Sequence, residues 1–405
     1  MKLSTYIKED IKKKIHEISK ILLDKDIVNK NDLSFFSGQL GISLFHFYYS
    51  KLFHNNNNYN FAYNILELVI KKGNNEYLYN TFSNGFAGLG WFVEFLNQND
   101  FVDVNTNDAI GDLDDFLFEY MKNELKFKYY DYLHSSSGIA LYFLKRKISK
   151  KRTNALSCYI ELLEKASLKE NDGLKWLYTI RNKDNSKKED VYDLGTAHGI
   201  SSLIFILSKI FKTGINRKKT NFLLNGAVNF LLSKEQNINK YYSYFPRWVS
   251  AENHTPSTSR LAWCYGDLGI SISLWYASQA TGNKNWMNKA LEILKYSTKR
   301  KDLQKNNIVD AGLCHGTAGV AHIYRRMYMN TNIIEFKDAS NYWYSETLKM
   351  AKYNIPSGFL AYRPIENGGL KKEFGFLDGI AGIGLSLISA ISNIDPAWDE
   401  ALLLS

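Results

Sequence analysis

Seven times along the chain a short glycine-bearing turn runs straight into an apolar segment. Phe36-Ser-Gly-Gln-Leu-Gly41 precedes Ile42 to Phe53, and Asn84-Gly-Phe-Ala-Gly88 precedes Leu89 to Leu96. Ser135-Ser-Ser-Gly138 precedes Ile139 to Leu144, and Gly195-Thr-Ala-His-Gly199 precedes Ile200 to Phe211. Cys264-Tyr-Gly-Asp-Leu-Gly269, Cys314-His-Gly-Thr-Ala-Gly319 and Leu377-Asp-Gly-Ile-Ala-Gly382 open the last three. The final glycines are separated by 47, 50, 61, 70, 50 and 63 residues, a period that marks a repeat architecture or a closed ring. Each following segment is apolar nearly all round, and a helix without a polar face must be covered on every side. The stretches between, such as Ala155 to Ala166 and Ala227 to Lys234, show the amphipathic period of a half-exposed helix.

Two kinds of helix therefore alternate. The expected fold is all-α, an (α/α)7 double toroid in which seven apolar helices form an inner ring and seven amphipathic helices an outer one. Glycine at each inner N-terminus permits close backbone approach and leaves unpaired backbone N–H groups at one end of the ring. The other reading of the same glycines is a set of ordinary helix starts in an irregular all-α fold. A length of 405 residues exceeds what one core usually supports, but a closed ring of hairpins removes that limit. The chain is accordingly read as one domain over 1–405, with an N-terminal helix within 1–33 and a loop insertion over 235–260 that could serve as a lid. Strands are hard to find.

Composition narrows the class. Apolar residues make up 45% of the chain, enough for a large core and too many for intrinsic disorder. The 51 Lys and Arg against 41 Asp and Glu give a net charge of +10, which favours anionic partners. The basic residues are scattered in short runs such as Lys12 to Lys14 and Lys145 to Arg152, with no zinc-finger, homeodomain or RNA-recognition pattern. Solvated helix faces explain them, and no nucleic acid partner is expected. No apolar run approaches the 18 or so residues of a membrane span; Gly379 to Ala390 is the nearest and is too short. Met1 to Lys14 lacks the apolar stretch of a signal peptide. Three cysteines cannot build a disulfide framework in so long a chain. A cytoplasmic protein is expected, its cysteines thiols or metal ligands.

Two turns carry cysteine. Arg260-Leu-Ala-Trp-Cys264-Tyr265 leads into one, and Gly312-Leu-Cys314-His315-Gly316 forms the other. If the repeats superimpose, two sulfurs and an imidazole converge. Thiolate and imidazole in a tetrahedral field suit zinc, and three protein ligands leave a fourth position open, as in catalytic sites. Cys264 and Cys314 also fit a plainer role as small buried hydrophobes. Cys158, on an amphipathic segment, has no partner and reads as packing.

The motifs Trp263-Cys264-Tyr265-Gly266, Cys314-His315-Gly316 and Ala197-His198-Gly199 resemble those of the lanthionine synthetase C family, the cyclases of lantibiotic biosynthesis. The likeness runs along the whole chain, since the family fold is a toroid of fourteen helices in two rings of seven. The resemblance implies one Zn2+ per chain held by Cys264, Cys314 and His315. It also implies an acid/base role for His198, an arginine near the metal at Arg260, a site tyrosine at Tyr265 and an active-site aspartate at Asp131. The Asp131 turn departs from the family pattern: Ser135 stands where glycine is usual, and His134 is an extra titratable group. The implied reaction is addition of a peptide cysteine thiol to dehydroalanine or dehydrobutyrine, giving a thioether ring. The thiolate is the nucleophile, and a free thiol of pKa about 8.5 is little ionised near neutrality, whereas zinc deprotonates a coordinating thiol outright. Addition leaves an enolate whose α-carbon needs a proton, which a general acid such as His198 can supply. Arg260 would stabilise the developing charge or hold Asp131.

The implied partners are a precursor peptide with its leader, a separate dehydratase and an export ATPase. A bifunctional synthetase would carry a dehydratase region ahead of the cyclase, and here the first repeat begins by Phe35, so a stand-alone enzyme is expected. It would work in the cytoplasm, or peripherally at the inner face of the membrane within a biosynthetic complex. Other classes predict different behaviour. A glutathione-binding relative would use the same metal on a soluble thiol, and a scaffold with a structural zinc would unfold on Cys264→Ala. Toroidal glycosidases and terpene cyclases need paired carboxylates or acidic metal motifs, which do not stand out. As residues alone, His198 could instead be a helix cap bonded to backbone and Asp131 an N-cap. Asp267 reads as the cap of the helix opening at Leu268 and His322 as packing; Asp378 and Arg363 have no chemistry assigned.

Overall fold

The computed structural model describes residues 5–24, 26, 32–73, 79–171, 173–181, 188–252, 256–365 and 368–405. The chain is mostly helical and divides into two compact units, one of Met1–Tyr79, Ser83–Gly85 and Lys301–Ser405, the other of Asn80–Phe82 and Phe86–Arg300.

In the first unit two hairpins pair an apolar helix with an amphipathic one: Gln39–Phe53 with Asn56–Gly73, and Thr317–Thr331 with Ile334–Lys349. The apolar helix Ile380–Ile391 lies against both Gln39–Phe53 and Thr317–Thr331. Its amphipathic cover comes from the other end of the chain, the helix Thr5–Leu22, whose Ile11, Ile15, Ile18 and Leu22 are buried. The expected N-terminal helix within 1–33 thus spans Thr5–Leu22, and residues 1–4, 25 and 27–31 lie outside the described residues.

In the second unit the apolar helices Phe86–Gln98, Ser136–Lys145, Ile200–Thr213 and Asp267–Thr281 pack each against the next. Their amphipathic partners are Asp112–Lys126, Lys150–Ala166, Arg217–Leu232 and Lys284–Ser297. The two periodicities separate as the patterning requires. Ser136 to Phe143 is buried without a break. The Lys150–Ala166 helix instead buries Ala155, Leu156, Tyr159, Ile160, Leu163 and Ala166, one stripe of a 3.6-residue repeat.

Six of the seven apolar helices open three residues earlier than the final glycines suggest, the exception being the one after Gly199. The seven begin directly after Gly38, Gly85, Ser135, Gly199, Gly266, Gly316 and Gly379. Gly199 is therefore the counterpart of Gly316, not of Gly319. The second glycine, where a turn has one, answers a different need: a Cβ on Gly319 would run into the Leu313 carbonyl oxygen, and one on Gly382 into that of Phe376. At Gly266 the backbone itself demands glycine, with φ +100°. Ser135 replaces glycine without strain, its φ being −151°. Its hydroxyl lies within hydrogen-bond distance of two acceptors, Glu124 Oε2 at 2.7 Å and the Tyr129 carbonyl at 2.9 Å.

Strands do occur in the second unit. Leu168–Glu170 and Gly173–Lys175 form a small hairpin, and Tyr178–Arg181, Lys188–Asp193 and Trp248–Ser250 a three-stranded antiparallel sheet. The 235–260 segment, expected as a loop, thus contributes its own strand, with Asp193 opposite Trp248, and a short helix at Ile238–Tyr241. Residues 253–255 of it lie outside the described residues. Asp267 is the anchor of this segment and not the expected helix cap. Fully buried, its carboxylate accepts from the backbone N–H of Tyr244 and Phe245, each at 3.1 Å, and pairs with Arg300 Nη1 at 2.8 Å. No helix among the described residues is long and apolar enough to cross a membrane.

Candidate metal and acid–base site

Backbone hydrogen bonds hold two pairs of these turns together. Thr196 and Ala197 N–H donate to the Cys264 carbonyl at 2.9 and 3.3 Å, and Leu313 and Cys314 N–H to the Leu377 carbonyl at 2.9 and 3.1 Å. The first pair sets the Ala197-His198-Gly199 turn against the Cys264-Tyr265 turn. The second sets Cys314-His315 against Leu377-Asp378.

His198 sits at the centre of the first arrangement. Its Nδ1 meets Asp131 Oδ2 at 2.5 Å, while Asp131 Oδ1 accepts from the His134 backbone N–H at 2.8 Å. Asp131 thus bonds within its own turn and pairs with His198 at once, while the N-cap position of the following helix belongs to Ser135. The rings of His134, Tyr178 and Tyr265 surround the imidazole, centroids 5.6, 5.9 and 6.2 Å away. Burial alone would lower the His198 pKa, but the Asp131 carboxylate outweighs it and raises the pKa above the ordinary histidine value. Burial would raise Asp131, and the His198 charge overrides it and holds the carboxyl below its usual range. Desolvation beside its neighbours lowers the His134 pKa, although the residue is solvent-exposed.

Arg260, expected near the metal or on Asp131, is half-buried and forms no ion pair with Asp131 among the described residues. Tyr265 instead takes Arg247, whose guanidinium carbon lies 3.8 Å from the Tyr265 ring centroid and 4.0 Å from that of Trp248. Burial and the charge of Asp193 push the Tyr265 phenol well above its normal range. Asp193 is itself buried, accepts from Gly195 N–H at 2.7 Å, and is raised by desolvation to about 6.

Around His315, Asp310 Oδ2 stands 3.5 Å from Nε2 and Asp378 Oδ1 stands 4.0 Å from Nδ1. Arg363, given no role from sequence, pairs with Asp378 Oδ2 at 3.0 Å and reaches Glu373 at 3.5 Å. The ligand atoms offered by Cys264, Cys314 and His315 all lie within 4.8 Å of one another, a group that could hold a metal ion. Two thiols and an imidazole are the donor types of a zinc site with an open fourth position, so the donor set fits in kind. Cys158 is half-buried on its amphipathic helix. His322 is fully buried, stacked on Trp398 at 4.4 Å and bonded to Asp399 at 2.8 Å, which is packing, as expected.

Asp193, Asp310 and Arg247 were not singled out from sequence. Two of them carried a signal: Asp32, Asp193 and Asp310 each stand six residues before the turn glycine, at 38, 199 and 316. Arg260 occupies the same place before Gly266. Aligning turns on their last glycine puts Gly199 out of register by three and hides the recurrence.

Paired helices bearing a Cys-Cys-His group at their glycine turns define a helical-hairpin protein with a candidate metal site. The chain belongs to the lanthionine synthetase C-like protein family, whose pattern it matches over residues 29–403. It is 28% identical over 291 residues to the nisin biosynthesis protein NisC of Lactococcus lactis subsp. lactis, covering 68% of this chain. The chain thus spans 64% of the length of that relative. Its fold is that of the solved structure of nisin cyclase, with a TM-score of 0.76 over 99% of this chain and 98% of the other, at 22% identity. The expected (α/α)7 double toroid is consistent with that likeness.

Proposed function

We propose that the protein is a zinc-dependent peptide cyclase that forms lanthionine and methyllanthionine rings, one Zn2+ per chain being held by Cys264, Cys314 and His315. The observation that carries this reading is the mutual approach of those three ligands in a member of this family. Bound there, a divalent zinc ion lowers the pKa of a peptide thiol and makes the thiolate available near neutrality.

The remaining chemistry belongs to the chain. The thiol sulfur bonds to the β-carbon of a dehydroalanine or dehydrobutyrine, the C=C electron pair moves onto the α-carbon and its carbonyl, and the thiol proton is released. His198, its Nδ1 committed to Asp131, carries the proton on Nε2 and delivers it to the α-carbon. Asp131 keeps the imidazole charged and oriented for that transfer. Tyr265 presents a phenol that stays protonated, a hydrogen-bond donor for the enolate oxygen. Arg260, without a carboxylate on its guanidinium among the described residues, is available to balance the same developing charge. No oxidant, reductant or second cofactor is needed.

The substrate is then a dehydrated precursor peptide with its leader, supplied by a separate dehydratase and passed to an export ATPase, and the protein works in the cytoplasm. Reconstitution with a dehydrated cysteine-containing peptide tests the reading. Wild-type protein closes thioether rings, detected by loss of alkylatable thiol at constant mass. His198→Asn keeps its zinc and loses at least about 100-fold in rate. Wild-type rates in His198→Asn remove that residue from the mechanism. Glutathione adducts without ring closure would move the protein to the thiol-transfer class.

A further inference from the structure

We infer that Asp310 is the residue that positions His315 for the metal, holding the imidazole through Nε2 so that Nδ1 is the ligand nitrogen. The inference rests on the zinc reading above and assigns a role to a residue that reading does not use.

Asp310 is built to be immobile. It is 3% exposed. Oδ1 accepts the Gly312 N–H at 3.1 Å, and Oδ2 accepts the Tyr362 N–H at 2.8 Å from the strand Ala361–Tyr362. Both bonds come from backbone, so the carboxylate cannot swing with a side-chain rotamer. The oxygen held by Tyr362 is the one that faces His315 Nε2, at 3.5 Å, an ion-pair separation longer than a formed hydrogen bond. A metal-bound histidine generally gives its second ring nitrogen to such a carboxylate, which fixes the tautomer and the ring plane.

The opposite assignment would have Asp378 hold Nδ1 and leave Nε2 to the metal. The geometry disfavours it: Asp378 Oδ1 is 4.0 Å away, and Asp378 is drawn aside by Arg363 at 3.0 Å. The fold also repeats the Asp310 device. Asp193 stands five residues before His198 as Asp310 stands five before His315, and each carboxylate accepts the N–H two residues on. In the His198 turn Asp131 has taken the imidazole; in the His315 turn Asp310 is the nearer carboxylate.

Zinc-loaded full-length protein labelled with 15N-histidine gives the direct test, with His315→Asn to assign the resonances. Long-range 1H–15N spectra are expected to show His315 protonated at Nε2 and metal-shifted at Nδ1; the reverse pattern overturns the inference. Chelator competition is expected to show 10–100-fold weaker zinc binding in Asp310→Asn. Asp378→Asn should stay within about threefold of wild type. Wild-type affinity in Asp310→Asn overturns the inference and leaves the metal reading intact, whereas a wild-type protein that takes up no zinc removes both. Because the spectrum is read on the wild-type protein, a poorly folded Asp310→Asn does not remove the test.

Discussion

At the scale of single residues, the site couples groups whose environments push their proton affinities apart. His198 is raised by Asp131 against its burial, and Asp131 is lowered in return. The sign of the linkage follows. The raised histidine contributes stability below its unfolded pKa and loses it as pH rises through the folded value; the depressed aspartate contributes above its unfolded pKa and loses it as pH falls through the folded value. With Asp131→Asn, burial of His198 is no longer opposed by that charge. The alkaline limb of the cyclisation pH–rate profile should then move to lower pH; a limb that stays in place would mean that Asp131 does not set the His198 proton affinity. Cys264, Cys314, His315 and His198 were legible as candidates because each sits in a glycine turn. Asp310 and Asp193 were not, because carboxylates are common in turns and their meaning lies in what they face. Arg247 gave no signal, since its contacts with Tyr265 and Trp248 depend on how the 235–260 segment folds back along the Lys188–Asp193 strand.

At the scale of elements, turn and helix form one unit. The all-apolar runs announced buried helices because nothing else can cover a helix on every side, and the amphipathic stripes announced their partners. Short strands escaped notice because Leu168-Lys-Glu170 and Lys188-Glu-Asp-Val-Tyr-Asp193 are polar and do not alternate. The role of Asp267 was missed for a related reason, its partners Tyr244, Phe245 and Arg300 lying far off in the chain. The second turn glycine makes a sharper prediction. Gly319→Ala forces a methyl group against the Leu313 carbonyl, which is backbone and cannot rotate away. A loss of about 1–3 kcal/mol is expected, read as a lower midpoint in thermal or denaturant unfolding. An unchanged midpoint would mean that the turn has room the structure does not show.

At the scale of the whole molecule, the first described helix completes the last. Thr5–Leu22 supplies the cover that Ile380–Ile391 would otherwise draw from a following helix, a pairing that periodicity alone did not reveal. The charge of +10 belongs to this scale too, because it acts at a distance on any anionic partner. Affinity for an acidic leader peptide should fall about threefold or more between ~50 and ~300 mM salt; titration calorimetry across that range checks it, and salt-independent affinity would remove the electrostatic contribution. Elemental analysis of purified wild-type protein and Cys314→Ala, with circular dichroism alongside, tests the account at its root. One zinc per wild-type chain is expected, with loss of the metal from Cys314→Ala and the helical signal largely kept. A full equivalent of zinc in Cys314→Ala would contradict it.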